Sequence, residues 1–376
     1  MAALTSSLYA QLAIPSDGSD GALIISNNTV IDLSQAVTGN WTNNNTANAG
    51  KGIYDPAKWA VVFKYSSVVI SNGATLTFSN HPTHAPVVWL VGNDVTINGT
   101  LSLDGQNGNA DLVNLSEPGP GGFRGGAEYS TGLSRSGGFG PGGYFDDYGE
   151  YGSGQPHSYG NLQIVPLIGG SGGAGSPQNG GGGGGAILIA AAGTISINGS
   201  IHSNGGNGGY LAYPGSGGAV RLIANQILGS GSIQAVSSTY SGRVRLEANT
   251  ASTALNITPP SVAVAPVPLV IWPATNTPTV QIISVANLST PSDPLAKMSP
   301  AGDDLTLATT NTVAIVLQTS NFPTNGTVNI YVKLRNYSQS IFQASFVSGN
   351  TNQAIWQLNT ILPASHGVIQ VRAVSN

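Results

Sequence analysis

The chain has 376 residues and a net charge of −4, and only 7% of it is charged, where a soluble domain carries roughly 25%. It is rich in Val, Ile, Thr, Asn and Gly, which excludes a disordered chain. With no Lys between Lys64 and Lys297, it lacks the clustered cations of a nucleic-acid surface. Cysteine is absent, which excludes disulfides, thiolate metal centres and a cysteine nucleophile.

The first residues, Met1-Ala2-Ala3-Leu4-Thr5-Ser6-Ser7-Leu8, show neither the basic region nor the long apolar core of a signal peptide. No apolar run long enough to cross a membrane follows, so the expectation is a chain made in the cytoplasm that does not insert into membranes. Residues 1–55 are expected to form an N-terminal cap or attachment region, or the first irregular turns of the fold, with candidate strands at Ala22-Leu23-Ile24-Ile25 and Thr29-Val30-Ile31-Asp32-Leu33. Asp17-Gly18-Ser19-Asp20-Gly21 superficially suggests a Ca²⁺ loop. It lacks the later carboxylate of an EF-hand, so a turn is the better reading.

From residue 56 the sequence repeats itself. Asp94-Val95-Thr96-Ile97-Asn98-Gly99-Thr100-Leu101 lies on Thr194-Ile195-Ser196-Ile197-Asn198-Gly199-Ser200-Ile201 at an offset of 100, and Gly231-Ser232-Ile233-Gln234-Ala235 repeats the 199–203 segment at an offset of 32. Partial copies flank these at 61–76 and 242–248. Each copy reads as three very short strands parted by Gly or Asn-Gly corners, where positive φ is needed. A hairpin would explain one copy but not the recurrence. Strands this short bury their apolar faces only when coils stack at about 4.8 Å, so residues 56–255 are expected to form a parallel β-helix, or β-solenoid. Ile97, Ile197, Leu101, Ile201 and Ile233 should point inward.

A long insertion at 105–185 interrupts the repeat. Residues 119–185 hold 26 of the 52 glycines. Flexible linkers do not carry the aromatics found here, Phe123, Tyr129, Phe139, Tyr144, Phe145, Tyr148, Tyr151 and Tyr159. An ordered protrusion is expected, with glycine backbones packed closely, even as polyglycine-type extended helices, and dispensable for folding. A Pro-rich linker at 256–273 follows. Residues 274–376 then show longer alternating runs with turn signals, which predicts an immunoglobulin-like β-sandwich. The expected fold class is thus all-β.

Candidate chemistry is sparse. Asp146, Asp147 and Glu150 sit among aromatic rings, as glycosidase carboxylates do, but adjacent carboxylates on a loop carry no spacing information, and a glycine-rich protrusion needs charge for solubility. His81-Pro82-Thr83-His84 reads as a turn, since no further ligand follows at metal spacing. His202 occupies a repeat position shared with Ser102 and Gln234 and is expected to face outward. No catalytic residue, metal site or cofactor is expected. Tyr144, Phe145, Asp146, Asp147, Tyr148, Glu150, Tyr151 and Tyr159 read better as a binding surface, with Tyr giving rigid contact area and Ser, Gly and Asn adaptable hydrogen bonds. A purely structural elaboration against a neighbouring subunit is the rival.

The motifs Val95-Thr96-Ile97-Asn98-Gly99-Thr100-Leu101-Ser102-Leu103-Asp104-Gly105, Ser203-Asn204-Gly205-Gly206-Asn207-Gly208-Gly209 and Gly217-Gly218-Ala219-Val220-Arg221-Leu222 resemble the glycine-rich β-helical repeats of bacteriophage tail and fibre proteins. They also resemble those of large bacterial surface proteins. The likeness covers residues 60–250. It implies a virion component, commonly trimeric, that contacts other virion proteins and bears on attachment to a host glycan or protein. Some such tailspikes cleave polysaccharide, but no motif here carries their catalytic residues. The expectation is a non-enzymatic virion structural protein, a tail fibre, spike or surface decoration. An exported adhesin is the alternative, and a polysaccharide-degrading tailspike the second.

Overall fold

The computed structural model describes residues 11–110, 116–126, 137–142, 159–175, 178–238, 240–290, 305–307, 312–334, 340–364 and 367–375. The protein is all-β. Among the described residues the helical content is two single turns of 3-10 helix, Leu33–Gln35 and Thr46–Asn48.

Three sheets are shared by successive passes of the chain. The first holds Ala22–Ile25, Ser67–Ile70, Val95–Ile97, Thr194–Ile197, Gln226–Leu228 and Thr250–Ala251. The second holds Thr29–Asp32, Thr75–Ser79, Thr100–Ser102, Ser200–His202, Ser232–Gln234 and Asn256–Thr258. The third, of eight strands, runs from Val37–Thr38 through Ile53–Asp55, Ala60–Tyr65, Val87–Val91, Ala186–Ala191, Ala219–Ile223 and Arg243–Glu247 to Ala263–Val264. Every pairing is parallel except that of Ile53–Asp55 with Ala60–Tyr65. From Ala60 the chain visits the third, first and second sheets in rotation, a β-solenoid-like stack. Strands also join these sheets before residue 56 and after residue 255. Ile257, for example, continues a ladder beyond Ile233.

The register follows the sequence repeat. Leu101 stands over Ile201 and Ile201 over Ile233, which are the offsets of 100 and 32. Ile97, Ile197, Leu101, Ile201 and Ile233 are all fully buried, as their alternation requires. Phe63, Trp89, Ile189, Leu222 and Leu246 form a second ladder into the same core. Outside, Asn198 Nδ2 donates to Asn98 Oδ1 at 3.0 Å, and Asp94 Oδ1 accepts Thr194 N at 2.7 Å. Stacking therefore aligns polar side chains as well as apolar ones.

The third sheet is buried on both faces, so its strands are continuous apolar runs rather than alternating ones. Its outer side chains, Val62, Val88, Leu90, Leu188 and Ile223, lie under Leu12 and Ile14 of the N-terminal arm and under Leu269, Ile271 and Trp272. Asp17 ties the arm down through Lys64 Nζ at 2.9 Å. Asp20 accepts from Asn45 Nδ2, Gly50 N and Lys64 N, so the Asp-Gly segment is a turn whose carboxylates are held by protein donors. Arg221, buried on the same outer face, donates from Nε to Glu247 Oε1 at 2.8 Å and from Nη2 to Val270 O at 2.6 Å. Arg245 Nε shares Glu247 Oε1 at 2.7 Å.

Residues from 279 onward form two antiparallel sheets around a separate core. One is ordered Leu288–Ser289, Thr279–Val285, Thr312–Ser320, Gln353–Ile361, Ser345–Gly349, and the other Ser340–Gln343, Thr327–Leu334, Gly367–Val374. Ile315, Leu317, Val328, Ile330 and Trp356 fill the space between, with Trp356 Nε1 satisfied by Thr319 Oγ1 at 2.9 Å.

Two substitutions test this account. Ile197→Asp places an unpaired carboxylate in the ladder core and should cost several kcal/mol, on the order of 4. Protease-resistant soluble protein from that variant would refute the register. Glu247→Ala strands Arg221 under the apolar cover and should lower stability by about 3–5 kcal/mol. The double variant Arg221→Met/Glu247→Leu should recover most of that loss in thermal unfolding.

Candidate functional site

The site is set by what happens at one corner of the stack. After Thr75–Ser79 the chain returns to the third sheet through a short turn in which His84 N donates to His81 O at 2.8 Å. After Thr100–Ser102 and after Ser200–His202 it leaves the stack and comes back into Ala186–Ala191 and Ala219–Ile223, and the described parts of both excursions include extended glycine-rich chain. These excursions lie side by side as a bundle of extended chains.

Residues 179–185 form the centre of this bundle. The amides of Asn179, Gly182 and Gly185 donate to the carbonyls of Asn109, Gln106 and Leu103, at 2.8, 2.9 and 2.8 Å. Those of Gly180, Gly183 and Ala186 donate to Gly126, Phe123 and Pro120, and those of Gly181 and Gly184 to Tyr213 and Ser216. Every third residue thus faces the same neighbour, as in a three-residue-per-turn helix of the polyproline II class, which has no internal hydrogen bonds. Carbonyls are met the same way. Gly173 N and Gly170 N donate to Gly181 O and Gly184 O, Gly206 N to Gly182 O, and Gly119 N to Gly183 O. The central chain is surrounded on all sides by other extended chains.

Glycine is required here by proximity. A Cβ on Gly183 would lie 1.9 Å from Gly170 O, and one on Gly181 2.0 Å from Gly206 O. The described parts of the insertion are close-packed backbone, and their hydrogen bonds to residues 180–185 argue against the expectation that it is dispensable for folding. Residues 119–126 and 169–173 supply hydrogen-bond partners to the 180–185 segment, and a buried amide left unpaired is costly.

Of the residues expected to bind a partner, Tyr144, Phe145, Asp146, Asp147, Tyr148, Glu150 and Tyr151 lie outside the described residues. Tyr159 is described and turns inward. Its hydroxyl donates to Gly169 O, and the Arg243 guanidinium lies 5.5 Å from its ring centroid. Burial pushes the Tyr159 phenol up, partly offset by Ser171 and Arg243, and burial lowers the pKa of Arg243. With Arg243 Nη2 donating to Ile168 O at 3.1 Å, the pair pins residues 159–169 to the stack.

Where the glycine bundle meets the outer face of the second sheet there is a groove of about 310 Å³. One wall is the sheet, with Thr77, Ser79, Asn80, Ser102 and Asp104. The other is the start of the insertion, with Gln106, Glu117, Pro118, Gly119 and Pro120. Both carboxylates are held in place. Asp104 Oδ1 accepts Asn204 N at 2.6 Å and its Oδ2 accepts Ser102 Oγ at 3.1 Å, with His202 Nδ1 at 3.9 Å. Glu117 Oε2 meets His84 Nε2 at 2.8 Å. Burial alone would raise the Glu117 pKa, but the His84 hydrogen bond and charge, Arg124 and Asn80 outweigh it and hold the carboxyl below its usual value.

Asp104 was within reach of sequence reasoning, because Thr100, Ser102 and Asp104 continue one outward alternation. Glu117 was not, since it reaches the sheet only through the folding of the insertion. Among the described residues no cluster of three His, Asp or Glu side chains has metal-binding geometry, and no helix is long and apolar enough to cross a membrane. No family model, curated protein or solved structure matches the chain.

Gly183→Ala should destabilise by about 3 kcal/mol or more, because the clash is with backbone. Gly92→Ala, whose Cβ would have its nearest neighbour at 3.8 Å, should be near neutral. Equal melting temperatures for the two variants would refute the close-packed glycine account.

Proposed function

We propose that the chain is a non-enzymatic structural protein of a bacteriophage particle, a tail fibre or spike subunit or a surface decoration, that contributes to attachment to the host surface. The observation that carries this reading is the glycine bundle. It extends a ladder stack sideways with backbone hydrogen bonds in several directions, and so builds a close-packed, charge-poor body. Such a body suits a part that must hold a surface in place outside a cell.

The proposed fold is a parallel β-helix with a glycine-rich insertion, followed by an immunoglobulin-like sandwich. The rotation of the chain through three parallel sheets supports the first part. For the second, the order Thr279–Val285, Thr312–Ser320, Gln353–Ile361, Ser345–Gly349 in one sheet follows the A-B-E-D layout, and Thr327–Leu334 beside Gly367–Val374 follows C-F. The partners in this reading are other virion proteins, a host glycan or protein, and further copies of the chain in a trimer.

Immunogold labelling of purified particles with an antibody to this chain should decorate the particle at a fixed position. Label confined to bacterial envelopes, with particles bare, would overturn the reading in favour of an adhesin.

A further inference from the structure

We infer that the groove between the second sheet and the glycine bundle binds a neutral, hydroxyl-rich glycan chain, with Asp104, Gln106 and Glu117 as its principal contacts. The inference rests on the attachment reading for the source of the ligand, but its chemistry comes from the groove itself.

Sugar hydroxyls are donors and acceptors at once, and adjacent hydroxyls are best met by a fixed carboxylate beside amides and hydroxyls that serve either role. The groove supplies this set. Asp104 and Glu117 are the fixed acceptors, on opposite walls. Exposed Gln106 brings an amide, and Ser79 and Ser102 bring hydroxyls, while the Asn80 amide is taken up by Pro118 O. Neither carboxylate must be ordered by the ligand, since Asn204 N and Ser102 hold one and His84 holds the other. Less conformational entropy is therefore lost on binding. Pro118, Gly119 and Pro120 are buried against the glycine bundle and fix the second wall in place.

Other ligand classes fit worse. Among the described residues no Lys or Arg lines the groove and two carboxylates do, which disfavours phosphate, sulfate and acidic sugars. The predominance of polar side chains disfavours a lipid. The groove is also open along the sheet. Ser102 stands in register with His202, and His202 with Gln234, and these outward-facing residues are all half-exposed. Continuing them gives a track at the strand spacing of about 4.8 Å, which suits a chain of sugars rather than a single ring.

The test is saturation-transfer NMR and calorimetry on the full chain with maltohexaose, chitohexaose and mannohexaose as neutral probes and polygalacturonate as the acidic one. At least one neutral hexasaccharide should bind, and Asp104→Asn and Gln106→Ala should each weaken it tenfold or more. Thermal unfolding checks that both variants fold, and Thr250→Ala, at the far end of the first sheet, should bind as the parent does. Failure of all three neutral probes, binding of polygalacturonate alone, or neutral binding unchanged by both substitutions would overturn the inference. Labelled particles whose protein binds no neutral probe would remove this inference and leave attachment standing. Binding with label confined to bacterial envelopes would do the reverse.

Discussion

Everything in the stack depends on the parallel hydrogen bonds that set each pass directly over the last. A parallel ladder without a register shift places every side chain above its equivalent, so a choice made once must be compatible with itself many times. Apolar positions can repeat without penalty, and Leu101, Ile201, Ile233 and Ile257 do. Charged positions repeat only where a counter-ion is supplied, as where Arg221 stands beside Arg245 and both share Glu247, because like charges at strand spacing repel. This is a physical reason for a composition so poor in charge, and for amide and hydroxyl pairs such as Asn98 with Asn198 and Thr100 with Ser200 on the outside.

Four cations of the stack are used as fasteners. Lys64 holds the N-terminal arm, and Arg221 and Arg245 converge on Glu247 beneath the segment that leads out of the stack. Arg243 holds the returning end of the insertion. Each joins a piece of irregular chain to the regular stack, where the repeat offers no ladder partner.

That division also explains what could be read from the sequence. Equal offsets in the repeat are a local signal, and they carried the three-strand unit, the register and the inward residues such as Ile197. The strands at Asn256–Thr258 and Ala263–Val264 were hidden because they are two or three residues long and sit among prolines. The outer cover of the third sheet was equally hidden, since Leu12 and Trp272 are far apart in sequence and meet only on the folded surface. Composition pointed to closely packed backbone, which the described parts of the insertion show. It did not show that the insertion and the 203–218 excursion form one body, because glycine leaves no side-chain pattern from which pairing could be read. The groove was missed for that reason too, as one wall is the sheet and the other is the start of the insertion folded back against it.

The period of the glycine bundle has a consequence for how such a protein can lengthen. Each extended chain turns once in three residues, so its amides address the same neighbours again after every third position. Adding or removing three residues in a matched pair of chains preserves all directions of bonding, whereas a change of one or two rotates every later amide onto the wrong neighbour. The stack beneath obeys a different rule, in which whole turns are added. A lineage of such proteins can therefore vary the reach of its excursions in steps of three and the length of its shaft in steps of one coil, with neither change disturbing the other.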